Sequence, residues 1–177
     1  MEKSKRAQIT GLPFQFIFSL IIIAITLFVA VWAIRIFLAR SEQAKIGNFI
    51  TEVKNEINEL WFSSYEAEKN VSFDFSNKFT YVCFANTSEN FLCRDSNLNL
   101  NKDDVEQYIS REGINLFLVP PEKALDYDMS AAYYISCEGK ECVMLERACV
   151  CFPVIDGKVK INFVKNETTN GKVLIKG

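Results

Sequence analysis

The sequence predicts an α+β protein with a long N-terminal helix and a β-rich head. The helix is transmembrane first and amphipathic after; the head is mostly antiparallel and extracytoplasmic. Three observations carry this. Residues 12–34 contain no charge. A stripe of apolar residues at helical spacing then runs from Ile46 to Leu60. Beyond Ser64 the apolar period drops towards two and glycine-containing turn pairs appear. The boundaries that follow are a basic cytoplasmic N-terminus over 1–11, a transmembrane helix over 12–34, an amphipathic stalk helix over 35–63 and a β-rich extracytoplasmic domain over 64–177.

The first segment carries Lys3, Lys5 and Arg6 against Glu2. The uncharged run Leu12–Ile34 is broken only by Gln15, Ser19 and Thr26. As a helix it is about 35 Å long, enough for a hydrocarbon core of roughly 30 Å. A cleavable secretory signal has a shorter apolar region and a small-residue cleavage site, so the run reads as a retained signal anchor. Basic residues flank it on both sides, with Arg35, Arg40 and Lys45 after it, so the positive-inside rule alone nearly ties. The rest of the chain breaks the tie. Residues 41–177 hold all six cysteines, with 15 basic and 21 acidic side chains. They also hold three possible glycosylation acceptors, Asn70, Asn86 and Asn166, each in Asn-x-Ser/Thr. An acidic head rich in cysteine suits the oxidising side of a membrane. The expected location is the cell membrane, N-terminus inside and head outside.

Between the membrane and the head, Ile46, Ile50, Val53, Ile57 and Leu60 recur at steps of four and three, with Phe49 and Trp61 beside them. Polar residues fill the other faces, which predicts one amphipathic helix continuing to about Ser63. Pro13 falls in the first turn, where its missing N–H is tolerated. Packing of the stripe on the chain's own head is the favoured expectation over a self-associating coiled coil.

In the head, Val71–Phe75, Lys78–Ala85, Ile114–Val119, Ala132–Cys137, Cys142–Phe152 and Lys158–Val164 read as strands. Asp156-Gly157 and Asn170-Gly171 are two-residue turn signals, predicting a three-stranded C-terminal meander that ends in Lys172–Lys176. Asn101 is placed to cap a helix over Lys102–Arg111, with Asp104 three residues on and Gly113 beyond its end. Pro120-Pro121 forces a turn.

The cysteines are Cys83, Cys93, Cys137, Cys142, Cys149 and Cys151, an even set that reads as a disulfide framework. Cys137 and Cys142 flank a four-residue turn and form the best single bridge. Cys149 and Cys151 lie on one face of a strand and cannot easily bond each other. They are expected to reach Cys83 and Cys93, in an order left open. Four thiolates could also hold zinc or an iron–sulfur cluster, but the spacings match no usual ligand set. Thiol–disulfide catalysis at Cys149-Val150-Cys151 would need an accessible, low-pKa thiolate.

The absence of histidine excludes serine–histidine and cysteine–histidine catalysis, histidine-built zinc-water sites and imidazole copper centres. Asp103/Asp104 and Asp126/Asp128 are paired carboxylates of the kind glycosidases use, yet capping and solvation account for both. Seven glycines form no phosphate loop, and a formal charge of −2 gives no basic field for nucleic acid. No catalytic residue, metal ligand or cofactor is therefore assigned. A non-enzymatic role in partner binding or envelope assembly is expected, with an exported enzyme of unknown chemistry as an alternative. The expected partners are the lipid bilayer and other copies of the chain or envelope proteins, not nucleic acid.

Lys5-Arg6-Ala7-Gln8, followed at once by an apolar helix, resembles the class III signal of archaeal type IV pilins. The resemblance implies cleavage between Ala7 and Gln8 by a membrane peptidase. It also implies a filament subunit whose apolar helices pack in a filament core. Leu12 stands at the fifth mature position, where pilins often carry Glu.

Overall fold

The computed structural model describes residues 11–64, 66–95, 98–109, 111–127 and 129–177, with side chains for all of these but 11–14, 94, 95 and 99. The chain divides into two compact units, Met1–Ser41 and Glu42–Gly177. One helix, α1, runs from Gly11 to Phe62 and contributes to both.

In the first unit, the large apolar side chains from Phe16 to Leu38 are all exposed. Its most apolar window has a mean hydropathy of 2.9 and buries nothing within the protein, making the helix long and apolar enough to cross a membrane. Its polar hydroxyls are satisfied within the helix: Ser19 Oγ donates to the Gln15 carbonyl and Thr26 Oγ1 to that of Ile23, each at 2.9 Å. Back-bonding of this kind lets hydroxyls sit on an apolar helix without an orphaned donor.

In the second unit, the α1 stripe of Ile46, Phe49, Ile50, Val53, Ile57 and Leu60 is buried. It packs into the main core rather than remaining free for another helix. Phe49 anchors it, with its ring 5.5 Å from that of Phe73 and 4.6 Å from that of Phe75. The helix end is closed by a lysine. Lys165 Nζ donates to the Trp61 and Ser63 carbonyls at 2.7 and 2.6 Å, satisfying acceptors that a helix terminus leaves unpaired.

Ten strands follow. The first sheet is ordered β1 (Ala67–Asp74), β9 (Lys158–Lys165), β10 (Val173–Lys176), β7 (Val143–Leu145). Its pairs are antiparallel except β10 with β7, which is parallel. β9 alternates buried Val159, Ile161 and Phe163 with outward Lys158 and Lys160, as one covered face requires. The second sheet is ordered β6 (Ala132–Tyr134), β5 (Ile114–Val119), β2 (Tyr81–Asn86), β8 (Cys149–Pro153), all antiparallel. Every residue of β5 is buried because this sheet is covered on both sides. One face, with Phe84, Leu116 and Leu118, joins α1 and the first sheet in the main core. The other, with Cys83, Ala85 and Phe117, meets the hairpin β3 (Leu92–Asp95)–β4 (Leu98–Asn101) and Val105.

Several sequence expectations are corrected. Cys142–Phe152 is two strands, not one, because exposed Glu146, Arg147 and Ala148 interrupt it, and β7 and β8 then join different sheets. The three-stranded C-terminal meander is replaced by a single antiparallel pair, β9–β10. The Asp156-Gly157 turn forms, with both residues at positive φ, but pairing across it stops at Ile155–Lys158. Strand β8 has apolar or sulfur-bearing residues on both faces and enters the doubly covered sheet. β9 has one lysine-rich face and enters the outer one, so the two cannot extend a common ladder. The helix expected over Lys102–Arg111 is only α2 (Lys102–Val105) and a 3-10 turn (Glu106–Tyr108), although the Asn101–Asp104 capping box is present. Strand β6 stops at Tyr134, short of Cys137. The β3–β4 hairpin and the four-residue helix α3 (Glu122–Leu125) carry too few residues to show a period.

Candidate functional site

The six cysteines form three pairs at disulfide distance. Cys137 pairs with Cys142 across a turn, with Cα atoms 5.6 Å apart. Cys83 pairs with Cys151 (Cα–Cα 4.0 Å), and Cys93 with Cys149 (5.4 Å). Register explains the order that spacing left open. Cys83 on β2 lies directly opposite Cys151 on β8, whereas Cys149 lies opposite Ala85. Cys149 therefore lacks a partner within the sheet and meets Cys93 on the hairpin that covers this face.

The two bridges adjoin. Cys149 and Cys151 Sγ are 3.8 Å apart, and the sulfurs of Cys83, Cys93 and Cys151 lie within 4.8 Å of one another. A hollow of about 220 Å³, lined in part by Glu146, Arg147 and Gly177, opens beside them. Four clustered sulfurs could ligate a thiophilic metal if all were thiolates. Here every cysteine is paired, so none is a ligand or a nucleophile in this state. What the arrangement does is clamp β2, β8 and the β3–β4 hairpin together.

Among the described residues, Asp103, Asp104 and Asp126 are not brought together with other reacting groups. Asp103 and Asp104 occupy the first turn of α2, and Asp104 accepts from the Asn101 backbone N–H at 3.0 Å. Asp126 ends α3, and Asp128 lies outside the described residues. Perturbed titration occurs elsewhere. Burial works against ionisation of Glu42, but the Ser76 hydroxyl and Lys45, aided by the charge of Lys78, outweigh it and hold the carboxyl below its ordinary range. Lys69 is raised by Glu56 and Glu59, which contact it at 2.5 and 3.2 Å and tie β1 to α1. Burial raises the Tyr133 phenol. These three groups serve different parts of the fold.

Of the possible glycan acceptors, Asn70 is exposed on β1, while Asn86 and Asn166 are half-buried. Thr168 Oγ1 donates to Asn166 Oδ1 at 2.6 Å, and Ser88 N–H donates to Asn86 Oδ1 at 3.1 Å. Ala7 and Gln8, the expected cleavage pair, lie outside the described residues.

A buried polar network was not anticipated. Asn115, fully buried on β5, donates through Nδ2 to Thr87 Oγ1 (3.0 Å) and to the Arg111 and Gly113 carbonyls. Thr87 Oγ1 donates to the Gly113 carbonyl and accepts from its N–H. The network fixes the turn into β5; an asparagine inside an otherwise apolar strand was its only sequence signal.

Comparisons with protein-family models, with curated proteins and with solved structures gave no match.

Proposed function

We propose that the chain is a single-pass membrane protein whose head is exported, and that it serves without catalysis as a partner-binding or envelope-assembly subunit. One observation carries the reading: the apolar first part of α1 is exposed on every side. Roughly 25 cal/mol per Å² of apolar surface makes such a helix untenable in water and stable in lipid. Three cysteine pairs support an oxidising location for the rest. Asp103 and Asp104 serve the first turn of α2, which favours assembly over hydrolysis. If membranes washed with alkaline carbonate retain the protein, the anchor stands; release into the wash overturns it.

A type IV pilin-like filament subunit is the second reading. Beside the Lys5–Gln8 pattern, it is supported by an apolar helix whose continuation is buried beneath an antiparallel-rich sheet. The mass of the native N-terminus separates the two. A chain starting at Gln8 supports the filament reading, whereas one retaining Met1 removes it.

A further inference from the structure

The adjoining bridges gather four sulfurs that lie far apart along the chain. Cys83 comes from β2, Cys93 from β3, and Cys149 and Cys151 from β8. The usual ligand spacings describe short loops whose neighbouring residues grip one ion. Here the β2–β8 register and the covering hairpin bring the sulfurs together instead, so spacing is a poor guide to what they can hold.

The distances suit a metal. A zinc-class ion takes four thiolates at about 2.3 Å, which sets neighbouring sulfurs about 3.8 Å apart in a tetrahedron. Alternate residues on a strand are separated by roughly 6.6 Å along the backbone. The Cys149 and Cys151 sulfurs nevertheless converge to 3.8 Å, the edge of such a tetrahedron. Those of Cys83, Cys93 and Cys151 lie within 4.8 Å of one another. Cβ atoms joined through a disulfide are ordinarily about 3.8 Å apart, so parallel side chains of a cleaved pair keep their sulfurs at that same spacing. Side-chain rotation alone turns each pair into two ligands.

The surroundings favour a soft ion. Phe91, Leu98, Leu100 and Phe117 share the buried cluster of these cysteines and add no side-chain oxygen to it. An all-sulfur set selects zinc-class ions over calcium and magnesium, which require oxygen ligands. Cys149 and Cys151 are half-buried and line the hollow of about 220 Å³ beside the bridges, which gives an ion its way in.

We propose that Cys83, Cys93, Cys149 and Cys151 bind one zinc-class ion when their two bridges are reduced. The junction of β2, β8 and the β3–β4 hairpin then has a metal clamp in place of the disulfide one. Each bridge takes two electrons and two protons from a dithiol, which closes to its own disulfide. The four thiols formed lose their protons as they ligate, and the ion keeps its oxidation state. Every newly made chain passes through the thiol form before its bridges close, so at that stage the site needs no reductant.

The test uses the full chain in detergent with Cys137→Ser and Cys142→Ser, which leaves only the four clustered cysteines. The chain is reduced with dithiothreitol, the reductant is removed under nitrogen, and cadmium is added as the probe. We expect a thiolate-to-cadmium absorbance that saturates at one ion per chain. Near-ultraviolet circular dichroism should return to that of the oxidised chain. Adding Cys149→Ser and Cys151→Ser should weaken cadmium binding by more than about 100-fold, beyond what loss of an outer-shell partner costs. The unaltered chain, reduced the same way, should also take up one ion tightly, because Cys137 and Cys142 lie in the other core cluster. Absence of the absorbance in both chains, or saturation at another ratio in the four-cysteine chain, overturns the proposal. So does binding to a chain whose circular dichroism stays that of the unfolded protein, since the ligands would then owe nothing to the fold.

Discussion

Alanine should act oppositely at Gly47 and Gly113. Gly47 lies within α1, and a Cβ there would meet nothing within 4 Å. Gly47→Ala should stabilise by about 0.5–1 kcal/mol through reduced unfolded-state freedom. Gly113 holds φ at +119°, and a Cβ would come within 2.8 Å of the Tyr134 ring, on which Arg111 also stacks. Gly113→Ala should cost more than about 1 kcal/mol, read by thermal melting in detergent. Thr87→Val removes the acceptor for the Gly113 N–H and for Asn115, and should cost about 1–3 kcal/mol. Glu42 gives a pH signature. Its folded-state carboxyl ionises below the ordinary glutamate range, so the stability it contributes is complete above that range and disappears as pH falls through the lowered value. Glu42→Gln should lower stability at neutral pH, converge with the unaltered chain at low pH and so flatten the acid side of the profile, as denaturant titration across pH would show.

Among the elements, the two adjoining bridges are nested: Cys93–Cys149 lies within the segment closed by Cys83–Cys151. With either one intact, the other closes a ring of only about 14 residues, so losing one alone should cost about 3 kcal/mol. Losing both opens the long loop as well, for a total of about 7 kcal/mol by chain entropy. Replacing Cys137 and Cys142 together opens a span of five residues and should cost about 2 kcal/mol. Denaturant titration of the three double variants and the quadruple variant tests this order. Nesting could not be read from the sequence. Cys149 and Cys151 evidently shared a face, but their partners depended on the β2–β8 register, which is tertiary information. The α1 stripe, by contrast, was legible because the 3.6-residue period from Ile46 to Leu60 is long and regular. The β8–β9 turn shows the limit between these cases. Asp156-Gly157 specified the local reversal, while the strand faces on either side decided which sheet each joined.

For the whole molecule, the main core draws on α1, both four-stranded sheets and the loops between them, so the amphipathic helix belongs to the head's cooperative unit. A chain beginning after residue 62 would lose the buried side chains of Ile46, Phe49, Ile50, Val53, Ile57 and Leu60. At roughly 1.5–3 kcal/mol each, their loss exceeds a usual domain stability of about 5–15 kcal/mol through most of its range. Such a truncation should be unfolded by circular dichroism and near-ultraviolet fluorescence, whereas a chain beginning at Glu42 should melt cooperatively. Where the head lies relative to the membrane is the central claim. Protease added to sealed, right-side-out membrane vesicles tests it, followed by an antibody against the C-terminal segment ending at Gly177. We expect the C-terminal epitope to be lost while the apolar segment stays with the vesicles. An epitope that survives intact vesicles and disappears only after detergent lysis would place the head on the inner side and contradict the exported location.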